Sequence, residues 1–276
     1  MSKIALITGG TDGIGKATAI ELAKRKYSVQ ILGRNKKRGE EVVKLLRDIN
    51  PSGKHELFIL DLSIMNDVKK FLTTYTNENR ALDVLILSAG IYPKEPQISV
   101  DGIDKAFSIG SISRYLFVVE LDKMLGASPL GKVVHVNGGV IGKIHYDQLK
   151  APKYSRIKGV WQNSIVGALL VHNWKELSDS NVAHMHWLPG LVRTNILSTQ
   201  GFLIKTVLAK LIGMEPEAAG KMLTDNIENV SKEETAGKFY IQGKLKKTPK
   251  KILNGKSLLA EWIEYSTAFT QVKVYK

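Results

Sequence analysis

Short runs of consecutive apolar residues alternate along the chain with longer stretches in which apolar residues recur every three to four positions. The short runs, of strand length, lie at 3–8, 28–33, 55–60, 83–88, 131–137, 182–188 and 237–241. Helical periodicity fills 14–26, 37–49, 64–78, 101–125, 155–178 and 216–229. Asn50-Pro51, Gly53 and the stretch from Gly126 to Gly131 mark turns between them. Strands that are apolar throughout, separated by helices, belong to a parallel sheet covered on both faces. The predicted architecture is therefore α/β, a doubly wound parallel sheet. No repeat, low-complexity tract or linker divides residues 1–276, which predicts a single domain. Segment 196–215 is apolar but interrupted by Gly201 and Gly213. It follows the sixth strand, where open sheets present ligand crevices, so it fits a substrate-covering insertion or a plain packing helix.

Composition narrows this only a little. With 43% hydrophobic and 24% charged residues, the chain of 276 residues is neither collagen-like nor broadly disordered. It contains no Cys, which removes disulfides, thiol nucleophiles and thiolate metal sites. The start, Met1-Ser2-Lys3 followed by Ile4 to Thr8, has too short an apolar run for a signal peptide, and no run of about 20 apolar residues occurs, so the expectation is a soluble, cytoplasmic protein with no membrane span. The net charge of +14 suits a polyanionic small molecule, nucleic acid or an anionic membrane surface. Its basic runs (Lys24 to Lys26, Lys36 to Arg38, Lys244 to Lys251) lack interleaved aromatics and an amphipathic basic helix, which argues against nucleic acid and membrane.

The first strand runs directly into Thr8-Gly9-Gly10-Thr11-Asp12-Gly13-Ile14-Gly15, and a helix follows at once. Glycines there let the backbone turn tightly and approach a diphosphate, while the helix N-terminus offers unpaired N–H groups and the positive end of its dipole. A glycine pattern is weak evidence alone, but on the first strand of a βα series it predicts a dinucleotide site. The second strand ends Gly33-Arg34-Asn35, and Arg34 lies 19 residues past Gly15. A site selective for NAD places an acid there to accept from the ribose 2′-hydroxyl; a guanidinium suits a 2′-phosphate, so NADP(H) is favoured. Lys16, Lys36 and Lys37 could add charge or be merely solvated. Asp61, followed by Leu62 and Ser63 at the end of the third strand, could accept from the adenine amino group; alternatively Asp61 or Ser63 caps the next helix. Ser88-Ala89-Gly90, closing the fourth strand, either lets the backbone pass a ligand closely or is a bare turn.

Together these residues resemble the short-chain dehydrogenase/reductase family, whose fold is of the Rossmann type: Thr8 to Gly15 matches its TGxxxGIG turn, Asp61-Leu62 its adenine contact, and Ser88-Ala89-Gly90 its NAG motif with Ser for Asn. Pro189-Gly190-Leu191-Val192-Arg193-Thr194 is similar to the PGxVxT segment, in which backbone and Thr face the nicotinamide carboxamide. Gly142 to Tyr146, Glu215 to Ala219 and Glu261 to Ser266 look most like the retinol-dehydrogenase-like branch. The resemblance implies NADP(H), a carbonyl or alcohol of a small or lipophilic substrate, and a homodimer or homotetramer.

The family's chemistry uses a Tyr acid/base, a Lys, a Ser and an Asn, and here the chain departs from it. The Ser position falls on Gly138 and the Asn position on Gly110. Ser108, Ser111 and Asn137 stand nearby. Tyr154 and Lys158 satisfy YxxxK, an i, i+4 spacing that puts both on one helix face. Yet Tyr154 precedes Pro189 by 35 residues, long for the family. Alignment on Gly142 to His145 instead makes Trp161 and Ile165 the counterparts, and an indole N–H cannot shuttle a proton. His184 and His186 point to one strand face, but two ligands at i, i+2 without a third predict no metal. His145 and Asp147 flank the region as possible substitute acid/base groups or plain loop residues. The sequence thus predicts an NADP(H)-dependent oxidoreductase with Tyr154 and Lys158 as its catalytic pair. The alternative is a coenzyme-binding protein without hydride transfer: a scaffold, a sensor, or a cyclase or isomerase.

Overall fold

The computed structural model describes residues 2–78, 81–93, 95–150, 156–193 and 213–274. Its centre is an eight-stranded sheet of order β3-β2-β1-β4-β5-β6-β7-β8, made of β1 (Ile4–Thr8), β2 (Ser28–Gly33), β3 (Glu56–Ile59), β4 (Val84–Leu87), β5 (Lys132–Val136), β6 (Ala183–Leu188), β7 (Lys238–Ile241) and β8 (Lys244–Lys246). The first seven are parallel, and β8 returns antiparallel as an edge strand, Lys-Leu-Lys, exposed throughout. Lysines on an edge discourage pairing with another chain. All seven strands predicted from apolar runs are present.

Helices cover both faces. On one side α1 (Gly13–Lys24), α2 (Lys36–Ile49) and α7 (Pro216–Asn229) enclose a core that includes Ile7, Val29, Val134 and Trp187. On the other, α3 (Met65–Asn77), α5 (Ser113–Gly126), α6 (Arg156–Leu177) and α10 (Lys256–Thr270) enclose Leu6, Leu85, Val133, Phe107 and Trp262. Short helices α4 (Lys105–Phe107), α8 (Lys232–Thr235) and α9 (Lys250–Leu253), with a 3-10 turn over Tyr146–Gln148, add to these.

One helix differs from its prediction. The 101–125 stretch is not continuous: Gly102 sits at φ +79° in a turn closed by its N–H to Ser99 O (3.0 Å), and helix begins only at Lys105, capped by Asp104. A π-helical turn over Ser108–Ile112 then joins α4 to α5. The predicted insertion 196–215 lies almost wholly outside the described residues.

Candidate active site

Chain order reverses between β1 and β4, since β2 and β3 are laid to one side and β5 to β7 to the other. Ligand crevices of open sheets form at that switch, beyond the carboxyl ends of the strands. A cleft of about 750 Å³ opens there, walled by the residues that follow β1, β2, β3, β4, β5 and β6. Of the predicted residues Gly9, Thr11, Asp12, Gly13, Ile14, Arg34, Asn35, Leu62, Ser88, Ala89, Gly90, Pro189, Gly190 and Val192 share this wall. Thr194 and Tyr154 lie outside the described residues, and Lys158 falls in the first turn of α6.

The glycine turn is locked to the turn after β4. Gly9 has φ +71°, and a Cβ there would stand 2.9 Å from Ala89 Cα, so only glycine fits. Thr8 Oγ1 accepts from Ala89 N at 3.2 Å, fixing the same approach. Gly15 is not part of the wall; it packs behind the turn against Gly9. Asp12 caps α1 by accepting from Gly13 N at 2.7 Å.

At the other end of the turn the wall is cationic. Arg34 and Arg38 both face the cleft, while Lys16, Lys36 and Lys37 do not line it. Asn35 caps α2 by accepting from Arg38 N at 3.0 Å, which places Arg38 one helical turn from Arg34. In the sequence Arg38 stands out only as part of the basic run Lys36 to Arg38. Asp61 is not on the wall, although its neighbours Leu60 and Leu62 are. Burial works against its charge, but the Ser63 hydroxyl and N–H, with Arg34 and Lys105 close by, outweigh it and hold the carboxyl below the usual range. Neither Asp61 nor Ser63 caps α3. Asp101 does, its carboxylate accepting from Met65 N at 2.9 Å.

A residue that sequence reasoning missed closes the inner wall. Arg114, on α5, is 5% exposed and lines the cleft. Its guanidinium donates to Asn137 Oδ1, to the Ala89 carbonyl at 3.1 Å and to the Val136 carbonyl at 3.0 Å, bridging the ends of β4 and β5. The one signal was a basic residue directly before the apolar stretch Tyr115 to Val119.

Residues 161–165 of α6 pack onto both glycines that stand in the Ser and Asn positions. Ser164 Oγ accepts from Gly138 N at 3.0 Å. Asn163 fills the space beside Gly110, donating to Ala106 O at 3.1 Å and accepting from Ser111 Oγ at 2.6 Å. Ile165 is fully buried in the core and Trp161 is half-buried, with Cε3 3.5 Å from where a Gly142 Cβ would be.

Behind β5 and β6 lies a buried histidine group. His135 Nε2 and His184 Nδ1 are 3.2 Å apart, and His186 Nδ1 is 3.4 Å from Asn137 Nδ2. Burial lowers all three: His184 to about 3, His186 to about 4, and His135 well below the ordinary value, with His184, Arg114 and His186 beside it acting in the same direction. They are neutral at physiological pH. No cluster able to hold a metal occurs among the described residues. No helix among them is long and apolar enough to cross a membrane.

Comparison with known proteins agrees with this geometry. The family model described as short chain dehydrogenase matches residues 3–201. Dehydrogenase/reductase SDR family member 12 of Bos taurus is 30% identical over 197 residues, covering 68% of this chain and 60% of that protein. Retinol dehydrogenase 12 of Homo sapiens is 28% identical over 205 residues, covering 73% and 65%. The matched region thus spans less than two thirds of either relative's length. An alcohol dehydrogenase from the archaeon Thermococcus sibiricus, solved with 5-hydroxy-NADP, shares the fold with a TM-score of 0.67 at 16% identity, over 87% of this chain and 96% of that one. The chain belongs to the short-chain dehydrogenase/reductase family, on its retinol-dehydrogenase-like branch.

Proposed function

We propose that the protein is an NADP(H)-dependent oxidoreductase acting on a carbonyl or alcohol carbon of a small or lipophilic substrate. The observation that carries the coenzyme choice is the pair Arg34 and Arg38 on the cleft wall, with no acid following β2. Two guanidinium groups suit a dianionic 2′-phosphate, and Arg34 stands directly after β2, where an NAD site places an acid. The turn fits the rest of the coenzyme: Gly9, Thr11, Gly13 and Ile14 line the cleft, and α1 begins at Gly13.

In this reading Gly9, Thr11, Asp12, Gly13 and Ile14 receive the diphosphate, with Gly15 allowing the turn to close. Arg34, Asn35 and Arg38 hold the 2′-phosphate end, and Leu62, Ser88, Ala89 and Gly90 bound the adenosine. Asp61, set off the wall, acts by holding Arg34. Pro189, Gly190, Val192 and Thr194 orient the nicotinamide, whose ring supplies or accepts the hydride when bound. Tyr154 and Lys158 are the proposed pair for moving the proton at the substrate oxygen. A free Tyr ionises near pH 10, so work near neutrality requires about 4 kcal/mol of differential stabilisation, for which a Lys four residues on in the sequence is the proposed source. The match to oxidoreductases over residues 3–201 supports an enzyme over a coenzyme-binding scaffold, sensor or isomerase.

The test is NADPH consumption, followed at the nicotinamide absorbance band, with a panel of ketones and aldehydes. Turnover with a member of the panel, reduced about 10²–10⁴-fold by Tyr154→Phe, is the expected result. Coenzyme binding without turnover across the panel contradicts hydride transfer. Turnover indifferent to Tyr154→Phe removes the proposed pair.

A further inference from the structure

Arg114 is a cation sealed into the wall of the cleft with no carboxylate paired to it among the described residues. Its hydrogen-bond partners are an amide oxygen and two backbone carbonyls, and its Nε has none among the described residues. A guanidinium has five N–H donors and no means of shedding its charge at neutral pH. Burial lowers its pKa to about 10, and the Tyr92 phenol is the group that opposes this. The missing counter-ion cannot come from a side chain elsewhere in the chain, because none of the residues outside the described set is Asp or Glu. A buried charge without an opposite partner is strongly unfavourable. Groups perturbed in this way and exposed to a cleft mark ligand sites more often than chance.

The surroundings define the shape of the missing partner. Ile91, Ile109 and Leu191 share the wall with Arg114, as do the polar Tyr92 and Asn137. A small molecule with an apolar body and one anionic oxygen group matches both features. We propose that the substrate of this cleft carries a carboxylate, and that Arg114 is its counter-ion. This deepens the reading of the cleft as a coenzyme and substrate site and rests on it. The coenzyme's diphosphate and 2′-phosphate are the other available anions, but in this reading the glycine turn with α1 and the pair Arg34 and Arg38 receive them, whereas Arg114 joins the ends of β4 and β5.

The experiment titrates benzoate and its neutral isostere benzamide into the protein by calorimetry, with and without saturating NADPH, for wild type, Arg114→Lys and Arg114→Met. Thermal melts and NADPH titration check that each variant is folded. In wild type, benzoate is expected to bind at least about tenfold more tightly than benzamide, in the presence of NADPH as in its absence. Arg114→Lys keeps part of that preference and Arg114→Met abolishes it. Equal affinities in wild type, or a preference that survives in Arg114→Met, overturn the proposal. Displacement of benzoate by NADPH overturns it as well, by assigning the cation to the coenzyme. If NADPH fails to bind while benzoate discrimination persists, the coenzyme reading fails separately. Should Arg114→Met not fold, the Nε–H resonance of Arg114 in wild type, assigned by its loss in Arg114→Lys, is expected to move with benzoate and not with benzamide; no movement contradicts the proposal.

Discussion

The amide of Asn163 occupies the space that any side chain on Gly110 would need: a Cβ at Gly110 would lie 2.2 Å from Asn163 Nδ2. Asn163 cannot simply swing aside, since it is 7% exposed and held by Ser111 Oγ and Ala106 O. Gly110→Ala should therefore destabilise the fold by about 1–3 kcal/mol, the usual cost of overpacking. Combining it with Asn163→Ala should cost less than the sum of the two single changes, because the second removes the obstacle to the first. Urea denaturation of the four proteins in the cycle measures this; strict additivity would contradict the packing described.

Asp101 supplies the cap of α3 across 36 residues of sequence, through Met65 N. Asp101→Ala should cost about 0.5–2 kcal/mol, as for other lost helix caps. Ser63→Ala, by contrast, removes only a bond to Asp61 and should leave α3 intact. Hydrogen exchange of the first-turn amides of α3 separates the two: faster exchange in Asp101→Ala alone is expected.

His184 and His186 have folded-state values near 3 and 4, lowered by burial, against about 6.5 in an unfolded chain. As pH falls below about 6.5 the unfolded state takes up protons first, so stability is complete above that pH and declines toward the folded-state values. Each group contributes at most about 1.4 kcal/mol per pH unit in that window. His184→Phe, which keeps an aromatic ring against Trp174, should flatten the acid decline of unfolding free energy. An unchanged slope in that variant would assign the acid sensitivity to other groups.

The strands and the glycine turn were legible because both rest on local chemistry: continuous apolar runs for a sheet buried on two faces, and Gly9 where a positive φ meets a neighbouring backbone. The C-terminal helix α10 went unpredicted. Its buried face runs Leu259, Trp262, Ser266 and Thr270, half of it polar, and Gly255 at its start makes no side-chain cap. Strand β8 is three exposed residues and carries no apolar run. In the site, Arg34 could be read from its distance to Gly15, whereas Arg38 needed the turn of α2 and Arg114 needed the tertiary contact between α5 and two strand ends. Asp61 and Ser63 had the right composition for a cap, but the helix starts too far along for either to reach it, and a residue brought in from another loop does the work.

In the proposed function the cleft discriminates coenzymes by the 2′-phosphate through Arg34 and Arg38. Charge-assisted hydrogen bonds to a phosphate contribute about 1.5–3 kcal/mol each, so Arg34→Ala should weaken NADPH about 10–100-fold and leave NADH nearly unchanged. Calorimetric titration of NADPH and NADH into wild type and Arg34→Ala tests this directly. NADPH is expected to bind well ahead of NADH in wild type, with the gap largely closed in the variant. Equal affinity for both coenzymes in wild type, or no heat with either, would contradict it.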